Sequence, residues 1–244
     1  MPSTSETGHA KNAANFKSMI AFVNAYGATY NPSNGEIKTA ALDTKLTDAN
    51  AAMSAVIAAK PAYINAVNAR QILFDPLPAL IRRVVGAVES SGTSAKFVSD
   101  VKTITRKLLG TRATPKQTDN PATPEDESDK SISASQLSFD KKVENMGNLI
   151  SLLSSEPLYA PNEADLTTAS LTTLHTNMDN TNTQVQNAIP SLSNARIARS
   201  KVLYEEKNGM LTLATLVKAY VKSIFGVSSP QFKQLSALQF KKFK

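Results

Sequence analysis

The side chains able to do acid–base or metal chemistry are few in this 244-residue sequence, and their spacing argues against catalysis. His9 and His175 are the only histidines. Neither has a partner at the i, i+4 spacing with which an HExxH helix holds zinc. His9 falls in a polar start, MPSTSETGHAKNAAN, and reads as flexible surface; His175 falls on a helical pattern at a boundary position. The absence of cysteine excludes disulfides, thiolate nucleophiles and cysteine-based zinc or iron–sulfur sites.

Glu163 and Asp165 stand two apart where a long helical pattern begins. Residues i and i+2 do not share a helix face, so the pair cannot act together on one substrate. Carboxylates there favour the exposed N–H groups of a helix start, and Glu36 fits the same role earlier in the chain. Glu205-Glu206 precede an Asn-Gly stop and have the same problem. No GxxxxGK[ST], GxGxxG or GxSxG run is present. The expectation is no catalytic residue, no cofactor and no metal.

Cationic side chains are the remaining candidates. Net charge is +7, and the excess is localised: residues 76–116 are +6, and the residues after Glu206 carry seven lysines and no acid. Arg82, Arg83, Lys102, Arg106 and Lys107, with Lys96 nearby, form one set. Lys218, Lys222, Lys233, Lys241, Lys242 and Lys244 form the other. Phosphates of nucleic acid or another polyanion would bind such sets with steep salt dependence. No zinc-finger, RNP or helix-turn-helix signature accompanies them.

The elements that would position these groups follow from an internal repeat. YNPSNGEIKTAAL (Tyr30–Leu42) matches YAPNEADLTTASL (Tyr159–Leu171) at a spacing of 129 residues, and Pro61, Asn65-Ala66 and Ala69-Arg70 fall on Pro190, Asn194-Ala195 and Ala198-Arg199. After an insertion of about seven residues, Leu77, Leu80, Arg82 and Val85 fall on Leu213, Leu216, Lys218 and Val221. Such self-similarity marks a duplicated structural unit.

Apolar residues recur at three to five in Ile37–Ile57 and Leu166–Ile189, which predicts long amphipathic helices. Flanking patterns predict helices near 12–26, 62–74, 80–88, 96–109, 136–155, 191–206, 210–225 and 231–243. Pro61 and Pro190 are read as resets between helices. No strand is expected. Residues 111–135 hold three prolines and five acids without an aromatic, a composition that reads as a disordered linker. The fold class is therefore all-α: a helical bundle of about four helices over 12–110, a flexible acidic linker over 111–135, and a second bundle over 136–244 with a basic tail.

No run of 18 apolar residues and no signal-peptide pattern appears, so a soluble, cytoplasmic protein without a transmembrane segment is the expectation. Function is expected to be non-enzymatic: a helical scaffold binding a protein partner or a second copy of itself. Nucleic-acid or polyanion binding is the alternative, and an enzyme of unknown class is third.

Overall fold

The computed structural model describes residues 8–111 and 137–243, which form helices and turns with no strand among them. In order these are α1 (His9–Ala25), α2 (Thr39–Phe74), α3 (Leu77–Ser90), α4 (Ala95–Leu109), α5 (Phe139–Ser154), α6 (Thr168–Tyr204), α7 (Met210–Phe225) and α8 (Pro230–Ser236). The all-α expectation holds. Nearly all of the expected linker lies outside the described residues, as does Lys244.

Local chemistry sets the helix ends. Ser94, Ser138 and Ser229 each accept the N–H of the residue three on, which satisfies a donor that the helix start leaves free. Gly110 closes α4 at φ 69°, a conformation that glycine adopts without strain.

The two matched turns are built alike. The Tyr30 hydroxyl donates to the Ile37 carbonyl at 2.7 Å, and the Tyr159 hydroxyl donates to the Leu166 carbonyl at 2.7 Å. Each tyrosine is buried, so little water competes for its bond. A single 3₁₀ turn, Gly35–Ile37 or Ala164–Leu166, leads through one extended residue into α2 or α6. Glu163 and Asp165 thus lie before α6 rather than in its first turn.

Three expectations about helices are corrected. Pro61 and Pro190 do not reset the chain; both lie inside continuous helices of 36 and 37 residues. A proline frees the carbonyl four residues earlier. Here those carbonyls belong to Ile57 and Gln186, both exposed, where water can serve them. His9 is not in a flexible start but opens α1. The last helix ends at Ser236, and residues 239–243 are non-helical.

The chain divides into two compact units, Met1–Tyr63 with Ala188–Lys244 and Ile64–Asn187. These are not the stretches 12–110 and 136–244 expected from the repeat. The first unit's core joins Phe16, Met19 and Val23 of α1, Leu42 and Ala49 of α2, Leu203 of α6, Met210, Val217 and Val221 of α7, and Leu235 of α8. In the second, Phe74 of α2, Ile81, Val84 and Val88 of α3 and Val101 and Leu108 of α4 meet Met146, Leu149 and Leu153 of α5 and Leu171 and Met178 of α6. Each unit therefore takes the front half of one repeat and the back half of the other. α2 and α6 each contribute to both cores. Periodicity defines each apolar stripe without naming the stripe it faces, so this exchange was not visible in the sequence.

Burial also corrects the alignment after the prolines. Leu77, Ile81, Val84 and Val88 of α3 are buried, as are Met210, Ala214, Val217 and Val221 of α7, a spacing of 133. The expected pairing of Leu77 with Leu213 used 136. Three residues are nearly one helical turn, so the apolar pattern alone fits both spacings. The insertion is four residues, and it forms the loop between α6 and α7.

Candidate functional site

The turn before α6 and the start of α3 form one corner of the second unit. Arg83 donates from both guanidinium nitrogens to the Asp165 carboxylate, one of these bonds measuring 3.0 Å. This hydrogen-bonded pairing holds the Asp165 carboxyl below, and the Arg83 guanidinium above, its ordinary pKa. Tyr159 sits beside the pair, and burial, with Glu163 nearby, pushes its hydroxyl up to about 12. It stays a neutral donor to Leu166.

Two clefts open on either side of this ion pair. The larger, about 1100 Å³, lies among the end of α2, the start of α3 and one stripe of α6. Ile72, Leu73, Leu80 and Leu174 give it an apolar floor, while Asn177, Asn180 and Gln184 form a row of amides along α6. Its α6 wall, from Ser170 to Gln184, runs about 21 Å at roughly 1.5 Å per residue. Ile72 is 73% exposed at its edge. The only titratable side chains lining this cleft are Arg83 and Asp165, which neutralise each other. The smaller cleft, about 560 Å³, lies against Ala87, Ser90, Ser91, Leu158, Tyr159 and Asn162.

In the first unit the place of Ala87, which lines the smaller cleft, is taken by a larger side chain. At the spacing of 133, Ala87 corresponds to Tyr220, whose ring packs edge-on against Tyr30 at 5.3 Å and whose hydroxyl accepts from the Asn31 N–H. Glu36 corresponds to Asp165, and its partner is not an arginine. The α6–α7 loop brings the Asn208 amide to within 3.1 Å of Glu36 Oε1, an approach that makes a hydrogen bond when the amide is turned with its nitrogen toward that oxygen. Leu216 stands in place of Arg83.

The cations named from sequence divide between the units. In the second, Arg83 is bound to Asp165 and Lys102 to Glu89 at 2.6 Å. Arg82 reaches the Pro78 carbonyl and Arg106 the Thr103 hydroxyl, while Lys107 is half-buried on the last turn of α4. In the first, Lys218 is half-buried, donates to the Leu238 carbonyl at 2.6 Å and lies over the Phe240 ring. Burial holds its pKa below the ordinary value. Lys222, Lys233, Lys241 and Lys242 are exposed and form no ion pair among the described residues. The named cations thus divide between the two units, with Lys244 outside the described residues.

The repeated Asn-Ala-x-x-Ala-Arg pattern acquires a role. Arg70 lies 3.9 Å over the Phe139 ring in the second unit. Arg199, its match, lies near His9, which stands 130 residues before Phe139, and its charge together with burial lowers the His9 pKa. His9 itself bonds the Tyr204 hydroxyl at 2.6 Å. The matched positions of Phe139 and His9 carried this signal in sequence, but only once α5 and α1 are aligned. Among the described residues no group of three His, Asp or Glu could hold a metal ion, and no helix is long and apolar enough to cross a membrane.

No protein-family model, curated protein or solved structure matches this chain.

Proposed function

We propose that the chain is a non-enzymatic, internally duplicated helical protein that holds another polypeptide on the open corner of its second unit. One observation carries the reading: two clefts open beside Arg83–Asp165 in the second unit, and where Ala87 lines the smaller one the first unit has the ring of Tyr220 packed on Tyr30. The occupant argued for is an amphipathic helix. A wall of about 21 Å accommodates about four turns. Ile72, Leu73, Leu80 and Leu174 would meet its apolar stripe, and the α6 amides would meet its polar flank. In the larger cleft the titratable lining is Arg83 and Asp165, paired with each other, which supports binding there rather than turnover.

The test is a photo-crosslinking residue at exposed Ala79, expressed in the native host, with and without Ile72→Glu. The expected result is a discrete crosslinked protein whose yield falls at least fivefold with Ile72→Glu. Crosslinking that is diffuse, or indifferent to that substitution, sinks the reading.

A second reading is favoured by the four exposed, unpaired lysines of the first unit, Lys222, Lys233, Lys241 and Lys242. They would bind a polyanion. Polarisation with labelled DNA and RNA at low and physiological salt decides it, since phosphate binding there must weaken steeply with salt.

A further inference from the structure

Residues 238–243 leave α8 and lie along α1 in a manner unlike ordinary tail packing. Asn12 is 2% exposed and spends both ends of its amide on one tail residue: Nδ2 donates to the Lys241 carbonyl at 2.6 Å, and Oδ1 accepts from the Lys241 N–H at 3.1 Å. One turn along α1, Asn15 Nδ2 donates to the Gln239 carbonyl at 2.6 Å. The backbone bonds to residues 239 and 241 stand two residues apart, the period of an extended strand. From the other side Lys218 donates to the Leu238 carbonyl. Leu238, Phe240 and Phe243 pack on the first unit's core, with the Phe243 ring edge-on to His9 at 5.6 Å. Gln239, Lys241 and Lys242 point their side chains to solvent.

This is recognition of a peptide backbone. A side-chain amide offers one donor group and one acceptor, which match the C=O and N–H of a single extended residue regardless of its side chain. With nothing in the groove, buried Asn12 would lose both of those bonds, a cost that favours an occupied state.

We infer that the face formed by His9, Asn12, Asn15, Tyr204 and Lys218 is a binding groove for an extended segment of another polypeptide, and that the chain's own residues 238–243 occupy it in competition. The partner segment presents large apolar side chains in the spacing of Leu238, Phe240 and Phe243. Backbone hydrogen bonds give affinity and those three positions give specificity. A tethered segment acts at an effective concentration on the order of millimolar, so the groove is masked until a partner outcompetes it. This site is separate from the Arg83–Asp165 corner, and its failure leaves that reading untouched.

The experiment uses a chain ending at Ala237 and a fluorescent peptide of residues 236–244, followed by polarisation. Saturable binding is expected, weakened at least tenfold by Asn12→Ala in the chain or by Phe240→Ala with Phe243→Ala in the peptide. The full chain should bind the peptide at least tenfold more weakly than the shortened one. A shortened chain with unchanged helical circular dichroism and no saturable binding overturns the inference, as does equal binding by the full chain. Should the shortened chain not fold, the full chain is incubated with the peptide carrying a photo-reactive group in place of Phe240. Crosslinks on α1 or beside Lys218 support the groove, and crosslinks elsewhere refute it. Light scattering of the full chain adds one outcome: a concentrated dimer lost on Asn12→Ala would assign the groove to a second copy, against the partner inferred here.

Discussion

Tyr30 and Tyr159 make the same buried hydrogen bond, to Ile37 and Leu166, and each closes the same turn before a long helix. Above Tyr30 lies the ring of Tyr220; the residue matched to it beside Tyr159 is Ala87, and a cleft remains. The carboxylate of one turn is held by an arginine on α3, and that of the other lies beside a loop asparagine. The skeletons agree where the backbone is specified and differ where surface is offered. In one unit Tyr220 covers the turn and residues 238–243 lie along α1; in the other two clefts stand beside the turn.

The comparison presumes that each unit is assembled from both repeats, and separating the repeats should break it completely. Residues 1–111 expressed alone keep the front half of one core and the back half of the other, with neither complete. They should not form a folded monomer. Mixed in equal amounts with residues 137–244 they should recover the helical signal of the whole chain and elute as one complex. A cooperatively melting 1–111 monomer would restore the picture of one bundle per repeat.

A single substitution sharpens the same point. Leu203 belongs to the second repeat by sequence, yet it is fully buried in the core with α1 and α7. Leu203→Ala should cost about 2–5 kcal/mol, the range for a leucine truncated in a packed core. Hydrogen exchange should locate the loss in α1 and α7 and leave α5 protected. Loss of protection in α5 instead would assign Leu203 to the other unit.

Much of the architecture was readable from residue types because it depends on local rules. The turns carry proline and tyrosine, and the apolar stripes repeat at helical spacing; these marked roughly where most helices lie. Pairing is different. Ala49 and Leu203 share a core because a helix that contains Pro61 runs on unbroken, and a proline in a sequence announces a break more often than a continuation. The candidate site was hidden for a related reason. Arg83 reads as one of a basic pair with Arg82, and only the fold brings Asp165 to it. Ala87 signals nothing until Tyr220 is aligned with it. Absence of a side chain is legible only against a second copy.

The matched tyrosines allow an internal calibration. Tyr30→Phe and Tyr159→Phe each remove one donor and leave a carbonyl without that partner, at a cost of about 1–3 kcal/mol. Equal losses would show that the two turns do equal structural work. Tyr30 also contacts Tyr220, whose hydroxyl bonds to Asn31, so any excess should appear in the first unit. A larger loss for Tyr159→Phe would contradict the view that the open unit has only the turn to lose.

The smallest effect separates the units by pH. Arg70 stacks on Phe139, which cannot titrate, while Arg199 sits near His9, which can. Burial first and the Arg199 charge second lower the His9 pKa in the folded chain below the ordinary 6.5. As pH falls through 6.5 the unfolded chain takes up its proton before the folded chain does, so stability declines until the lowered folded pKa is passed and then levels off. In the protonated ring Nδ1 can only donate, and it faces the Tyr204 oxygen, which also accepts from the Asn12 amide nitrogen at 3.3 Å. Exchange protection in α1 should therefore weaken below pH 6.5 while α5 shows no matching change in the same window. His9→Phe gives Arg199 the aromatic neighbour that Arg70 already has, and should abolish the slope. A slope that survives His9→Phe would place the titrating group elsewhere, and a flat α1 profile in the unaltered chain would mean that the His9–Tyr204 contact contributes nothing to holding the first unit closed.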